Sequence, residues 1–350
     1  MENLSTVQDV ERPVFIVGTG RSGTTLLRSL LTAHSRIAVT PETHYMKWVD
    51  RHGALHKPEQ DFSDLWRAYM ETWRFESLGV SGEQCYQIAE GLGNVTCRNA
   101  FLAMLAAYGE RLGKPRVGEK SPSHVRYLDR LFEWYPDARV IVTQRDPRAV
   151  LASKLRNPWV TRRLTPFSIR QGLLVGSRIH AIAREAYDWA RVHQHIVPQW
   201  KRDPRVYIVA YESLVRDPER EVRAICELLE ETFEPQMLTD RSSETVALPK
   251  ADAPDGELND WGKEHHAKTL RPITDSSVDK WKHELSALEV ALIEGVCKEG
   301  MVQTGYVPSV TALNRSVGWS LAQVIVTGEK AEATGRSGFR AARRRVQSLT

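Results

Sequence analysis

Eight consecutive positions near the start, Gly18-Thr19-Gly20-Arg21-Ser22-Gly23-Thr24-Thr25, combine three glycines with four hydroxyls around one guanidinium. Glycine lets the backbone turn tightly and approach a ligand closely, while hydroxyl, amide and guanidinium groups supply donors and positive charge. The chemistry such a stretch suits is the binding of a phosphate or sulfate group, through Gly20, Arg21, Ser22, Gly23, Thr24 and Thr25. A plain glycine turn between a strand and a helix would use the same residues. The loop by itself does not separate the two readings.

The frame Gly18-x4-Gly23-Thr24-Thr25 overlays the phosphate loop of nucleotide triphosphatases, except that Thr24 stands where that motif carries its lysine. Arg21 brings the positive charge instead. The hydroxyls of Thr24 and Thr25 can donate to an anion with no metal, so none is required.

The elements that must hold this loop are legible on either side of it. Val14 to Val17 is wholly apolar and β-branched or aromatic, as in a strand buried on both faces of a parallel sheet, and Thr24 to Leu31 carries a helical apolar pattern. Three further strand-to-helix junctions follow. Ile37 to Thr40 ends at Pro41-Glu42-Thr43-His44, Arg116 to Lys120 ends at Ser121-Pro122, and Ala138 to Gln144 ends at Arg145-Asp146-Pro147, with Pro147 at the first position of a helix. A fourth, Arg205 to Ala210, runs into Tyr211-Glu212 and then a helix from Asp217-Pro218 to Leu229. Side chains just beyond strand ends are where open α/β sheets place chemistry, which makes Glu42 a candidate base and Lys120 a candidate cation. On position alone the helix-cap reading of Glu42 leads, and Lys120 reads also as a solvated lysine. The fold expected is α/β: a P-loop-like central parallel sheet flanked by helices. Residues about 45–113 read as a helical insertion after the second strand, with helical segments at 62–75, 82–90 and 98–112. Helices are also expected over 123–134, 167–200 and 286–298, and residues 239–271 read as a polar lid.

Two of these junctions together resemble the sulfotransferases that use 3'-phosphoadenosine 5'-phosphosulfate (PAPS). Gly-Thr-Gly-Arg-Ser-Gly-Thr-Thr-Leu-Leu looks like their 5'-phosphosulfate loop. The strand ending in Arg145-Asp-Pro-Arg, with Ser153 eight residues beyond Arg145, looks like their 3'-phosphate motif. The resemblance extends over about residues 13–307. It implies PAPS as co-substrate, PAP as product, Arg145 and Ser153 on the 3'-phosphate and Tyr211 near the nucleotide. Cytosolic aryl and steroid members place a histidine base two residues after the strand-end lysine, where this chain has Pro122. Glycan and tyrosylprotein members place a glutamate about twenty residues beyond the loop's basic residue, and Glu42 lies twenty-one beyond Arg21. The resemblance therefore implies Glu42 as base, with Arg21 and Lys120 stabilising charge. Arg148 and Lys280 are weaker candidates for the donor, Arg148 reading also as surface charge, and His44 and His124 are alternative bases.

Of 350 residues, 41% are hydrophobic and 26% charged, which are globular values. Residues 13–310 are expected to form the sulfotransferase domain, 1–12 a flexible start and 311–350 an extension. Six basic residues against two acidic ones from Glu329 onward account for the whole net charge of +4. That balance argues against a nucleic-acid surface and leaves any membrane or polyanion contact to the tail. No apolar run approaches the ~18 residues of a membrane span, and residues 1–11 lack a signal-like core, so a cytoplasmic location is expected. Four scattered cysteines read as reduced thiols. The acceptor is expected to bear a hydroxyl or amine on a glycan, lipid or small metabolite. Two alternatives stay open: a P-loop small-molecule kinase using ATP and Mg²⁺ with Asp146 on the metal, and a non-catalytic polyanion binder.

Overall fold

The computed structural model describes residues 11–57, 60–157, 177–240 and 272–326. The lid expected over 239–271 and the basic tail fall largely or wholly outside them. Strands β1 (Val14–Gly18), β2 (Ile37–Thr40), β3 (Arg116–Lys120), β4 (Arg139–Gln144) and β5 (Val206–Ala210) form one parallel sheet in the order β2-β3-β1-β4-β5. The chain leaves β1 toward β2 on one side, and β4 pairs on the other. The carboxyl end of β1 is therefore the point where strand order reverses, which is where open sheets of this kind bind ligands.

Helices α1 (Thr24–Thr32), α2 (Tyr45–Arg51), α3 (Ser63–Met70), α4 (Trp73–Glu76), α5 (Gly82–Gly91), α6 (Cys97–Leu112), α7 (Leu128–Trp134), α8 (Pro147–Leu155), α9 (Ser177–Ala190), α10 (Val197–Trp200), α11 (Tyr211–Arg216), α12 (Pro218–Leu229), α13 (Gln236–Thr239), α14 (Trp281–Glu284), α15 (Ala287–Val296) and α16 (Lys298–Thr304) complete the described chain, with a last helix over 312–326. Among the described residues no helix is long and apolar enough to cross a membrane. All four cysteines are buried.

Several boundaries differ from the sequence reading for local reasons. The segment 62–75 breaks in two because the Thr72 side chain accepts from the Phe75 N–H and starts α4 afresh. The segment 123–134 opens as a 3-10 turn, Pro122–Tyr127, which carries His124 inward against Phe101. After α9 the chain makes a π turn, Arg191–Ile196, just before Pro198, whose missing N–H prevents a regular ladder.

The chain forms two compact units, Met1–Arg145 with Ile196–Asp275, and Asp146–His195 with Ser276–Thr350. In the first, one face of the sheet packs Val14, Ile16, Val39 and Ile141 against Leu27, Leu30 and Ile225. Phe15, on the alternate face, meets Phe101 and Tyr135, and Phe101 stacks on Tyr45 at 4.6 Å. In the second, Val150, Ile182, Trp189, Leu292 and Met301 form a separate core.

His193 lies in that second unit, 1% exposed, 4.4 Å from the Trp189 ring, with neither ring nitrogen hydrogen-bonded among the described residues. Burial pushes its pKa down to about 3. The unfolded chain binds this proton near pH 6.5, so the stabilising effect of a neutral His193 is complete above that pH. It is lost progressively as pH falls from 6.5 toward 3. Between pH 7 and pH 5 the loss is about 2 kcal/mol. Chemical denaturation at the two pH values should show that difference shrinking by about this amount in His193→Phe.

Candidate active site

The loop after β1 is held by contacts within the first unit. Gly23 caps α1 in the left-handed region at φ 95°, and a side chain there would meet Tyr211 Cδ2 at 2.5 Å. Arg21 also adopts a positive φ, 75°, which costs a non-glycine residue on the order of 1 kcal/mol or more. Arg145 holds that conformation. Its Nη1 donates to the Arg21 carbonyl at 3.0 Å, and its guanidinium lies 4.1 Å over the Tyr211 ring. The two anion-binding candidates, the loop and Arg145, are thus directly bonded to each other.

Ser22 takes a different part from the one its sequence position implies. Its hydroxyl is buried, donating to the Thr19 carbonyl at 2.5 Å and lying 2.6 Å from Thr143 Oγ1 on β4. It fastens the loop to the sheet. Gly20, Arg21, Gly23 and Thr25 keep partial exposure at the N-terminus of α1, a place where helices in general favour an anion.

Glu42 and Lys120, 78 positions apart, meet at the ends of β2 and β3. Lys120 Nζ lies 2.6 Å from Glu42 Oε1 and 3.4 Å from Thr25 Oγ1 on the loop. Glu42 Oε2 lies 3.1 Å from His44 Nε2. The Glu42 side chain keeps 37% exposure, whereas Lys120 has 5%. Burial pushes the Glu42 carboxyl up, but Lys120 and His44 outweigh it and hold it well below 4.5. Glu42 does not cap α2, whose N-cap is His44 at φ 50°. The buried Arg28 on α1 ties the end of β2 in place, donating from Nε to the Val39 carbonyl at 2.9 Å.

The other sequence candidates have surroundings of their own. His124 is fully buried, with Nε2 accepting the Met46 N–H at 3.3 Å and Nδ1 3.0 Å from Glu119 Oε2, so it is committed to packing. Ser153, Arg148 and Lys280 belong to the second unit, where Ser153 sits buried on α8 and Lys280 is exposed. Arg148 is no surface charge. It is buried between Asp146 (2.6 Å) and Glu294 (2.7 Å), with its guanidinium 4.1 Å over Trp281. Glu294 also accepts the Ser309 and Val310 N–H groups. Arg148 thus ties α8, α14 and α15 together. Asp146 caps α8 through the Arg148 N–H and receives the same guanidinium on both oxygens.

A family profile described as the sulfotransferase family matches residues 13–235, a span that runs from the residue before β1 past the end of α12. The chain belongs to the sulfotransferase family. Sulfotransferase relatives share its fold: the sulfotransferase domain from the curacin biosynthetic pathway superposes with a TM-score of 0.55 at 22% identity, covering 85% of this chain and 99% of that one. Nodulation protein NoeE of Sinorhizobium fredii is 27% identical over 301 residues, 83% of this chain and 65% of that protein. Protein-tyrosine sulfotransferase A of Caenorhabditis elegans is 25% identical over 228 residues, 64% of this chain and 51% of that protein. The chain therefore matches only about half to two-thirds of the length of these curated relatives.

The residue that sequence reasoning missed is Glu119. Its signal was present, since Arg116-Val-Gly-Glu-Lys puts three charges into a strand of five residues, and all three are buried. A charge inside a parallel strand needs a partner, and the partner was worth seeking.

Proposed function

We propose that this chain transfers the sulfuryl group of PAPS to a hydroxyl or amine of a glycan, lipid or small-metabolite acceptor, releasing PAP. The observation that carries the proposal is the position of Lys120 Nζ, 2.6 Å from the Glu42 carboxylate and 3.4 Å from Thr25 of the glycine loop. A carboxylate, an ammonium group and an anion-binding loop then share one corner of the sheet.

The acceptor oxygen or nitrogen attacks sulfur in line, the bond from sulfur to the 5'-phosphate oxygen breaks with its electron pair, and the acceptor proton passes to Glu42. Negative charge thus leaves Glu42 as it appears on the departing phosphate. Lys120, within reach of both the base and the loop, can pair with whichever is charged, and Arg21 adds a second cation at the loop. Arg145 and Ser153 are assigned to the 3'-phosphate, Gly20, Gly23, Thr24 and Thr25 to the 5' end, and Tyr211 to the nucleotide, with Ser22 shaping the loop. The loop geometry supports such a donor, since left-handed turns at Arg21 and Gly23 lead the chain directly into the N-terminus of α1.

A Mg-ATP kinase would need Asp146 on the metal, whereas both its oxygens receive Arg148. The polyanion-binding alternative rests on residues 328–350, outside those described. Among acceptors, the similarity to protein-tyrosine sulfotransferases makes a tyrosyl hydroxyl worth including in a screen.

Calorimetry without magnesium should show PAP binding. Arg145→Ala should weaken it about 10- to 100-fold, the value of one or two charge-assisted hydrogen bonds. Magnesium-dependent ATP turnover without PAP binding would remove the proposal.

A further inference from the structure

We infer that Glu119 is the positioning residue for the base, a buried carboxylate that fixes the turn carrying Glu42 opposite Lys120. This rests on the sulfuryl-transfer reading above. Glu119 and Lys120 are neighbours on β3, so their side chains leave opposite faces of the sheet. Lys120, in register with Ile16, faces α1 and the loop. Glu119, in register with Phe15 and Thr40, faces the aromatic side.

There it gathers the backbone that follows Glu42. Oε1 accepts the Thr43 N–H at 3.2 Å, the Thr43 hydroxyl at 2.8 Å and the Ser121 hydroxyl. Ser121 Oγ accepts the His44 N–H at 3.0 Å, and Thr43 Oγ1 accepts the Tyr45 N–H at 3.2 Å. His124, 3.0 Å from Oε2, accepts the Met46 N–H. Four consecutive amides, 43 to 46, therefore end on Glu119 directly or through one side chain. The two carbonyls beside them are held as well, Thr43 by the Tyr69 hydroxyl at 3.0 Å and Glu42 by Arg74 at 3.3 Å.

Capping a seven-residue helix does not call for a buried charge, since a neutral Asn or Ser cap does as well, while a carboxylate away from water costs several kcal/mol unless every lone pair is used. Burial does push the Glu119 carboxyl up, but His124, Ser121 and Thr43 outweigh it and keep it below 4.5. What this charge sustains is a turn that puts His44 at φ 50° and aims Glu42 back at Lys120. A shift of about 1 Å in such a group can cost 10²-fold in rate.

The test reads Glu42 itself. The groups facing its side chain are Lys120 and His44, with Arg28 acting at longer range. In Glu119→Gln the new amide N–H₂ would face a His124 nitrogen that already carries a proton, because the other nitrogen accepts Met46. Carbon-13 titration of the Glu42 carboxyl should show it at least tenfold weaker as an acid in this variant, while PAP affinity by calorimetry stays within about threefold. Ser121→Ala, which cuts only the link to His44, should shift Glu42 the same way by less. Ser121→Thr should restore it, Ser121 having φ −130° and ψ 108°, a region threonine favours. These two variants decide the matter if Glu119→Gln does not fold. A folded variant with lowered melting temperature and an unmoved Glu42 titration would overturn the positioning role. Failure of the intact protein to bind PAP would instead overturn the sulfotransfer reading.

Discussion

Glu42→Gln should lower kcat for PAPS-dependent transfer by about 10³-fold, within the range that general bases contribute, and leave PAP affinity nearly unchanged. Glutamine keeps the shape and can accept from Lys120, but it takes no proton from the acceptor. The loss should therefore fall on kcat and on kcat/KM equally, the pattern of an interaction made only in the transition state. The intact enzyme should show an acid limb in kcat/KM lying below the ordinary carboxylate range. Burial would raise the Glu42 carboxyl, yet Lys120 and His44 hold it well below 4.5, so the base stays ionised until pH falls through that depressed value. The same depression contributes stability above pH 4.5 that is lost on further acidification. Turnover by Glu42→Gln equal to the parent, in single-turnover assays with labelled PAPS, would take Glu42 out of its role.

Lys120→Met should show two coupled effects. The first is a fall in kcat of about 10²- to 10³-fold, the size seen when a preorganised stabiliser of developing charge is removed. The second is a displaced pH profile. With the ammonium group gone, burial is opposed by His44 and, at longer range, by Arg28 alone, so the Glu42 carboxyl rises and the acid limb moves to higher pH. Methionine keeps the apolar stem of a side chain that is 5% exposed, which separates loss of charge from loss of packing. A slow variant with an unmoved acid limb would mean that Lys120 serves the leaving group without governing the base.

Glu42 and His44 illustrate how differently neighbouring residues can be read. A glutamate after a short strand is ambiguous between cap and base, and the cap reading falls only when the carboxylate is seen turned away from α2 toward Lys120. Arg148 went the other way. Beside Arg145 it looks like a further phosphate ligand or a surface charge, but Glu294, 146 positions later, and Trp281 claim it.

The sequence by itself determined the strand, loop and helix junctions after β1, β4 and β5, because each is written in local order: an apolar run, glycines where the backbone must turn, and a proline or hydroxyl at a helix start. Only the tertiary structure decided that Glu42 is held by Lys120, that the Ser22 hydroxyl faces inward, and that Glu119 gathers four amides of the turn after Glu42. Those depend on parallel register, which sets Thr40 beside Glu119 and Ile16 beside Lys120. Residues 76 or more positions apart become neighbours through sheet pairing and not through any periodicity along the chain.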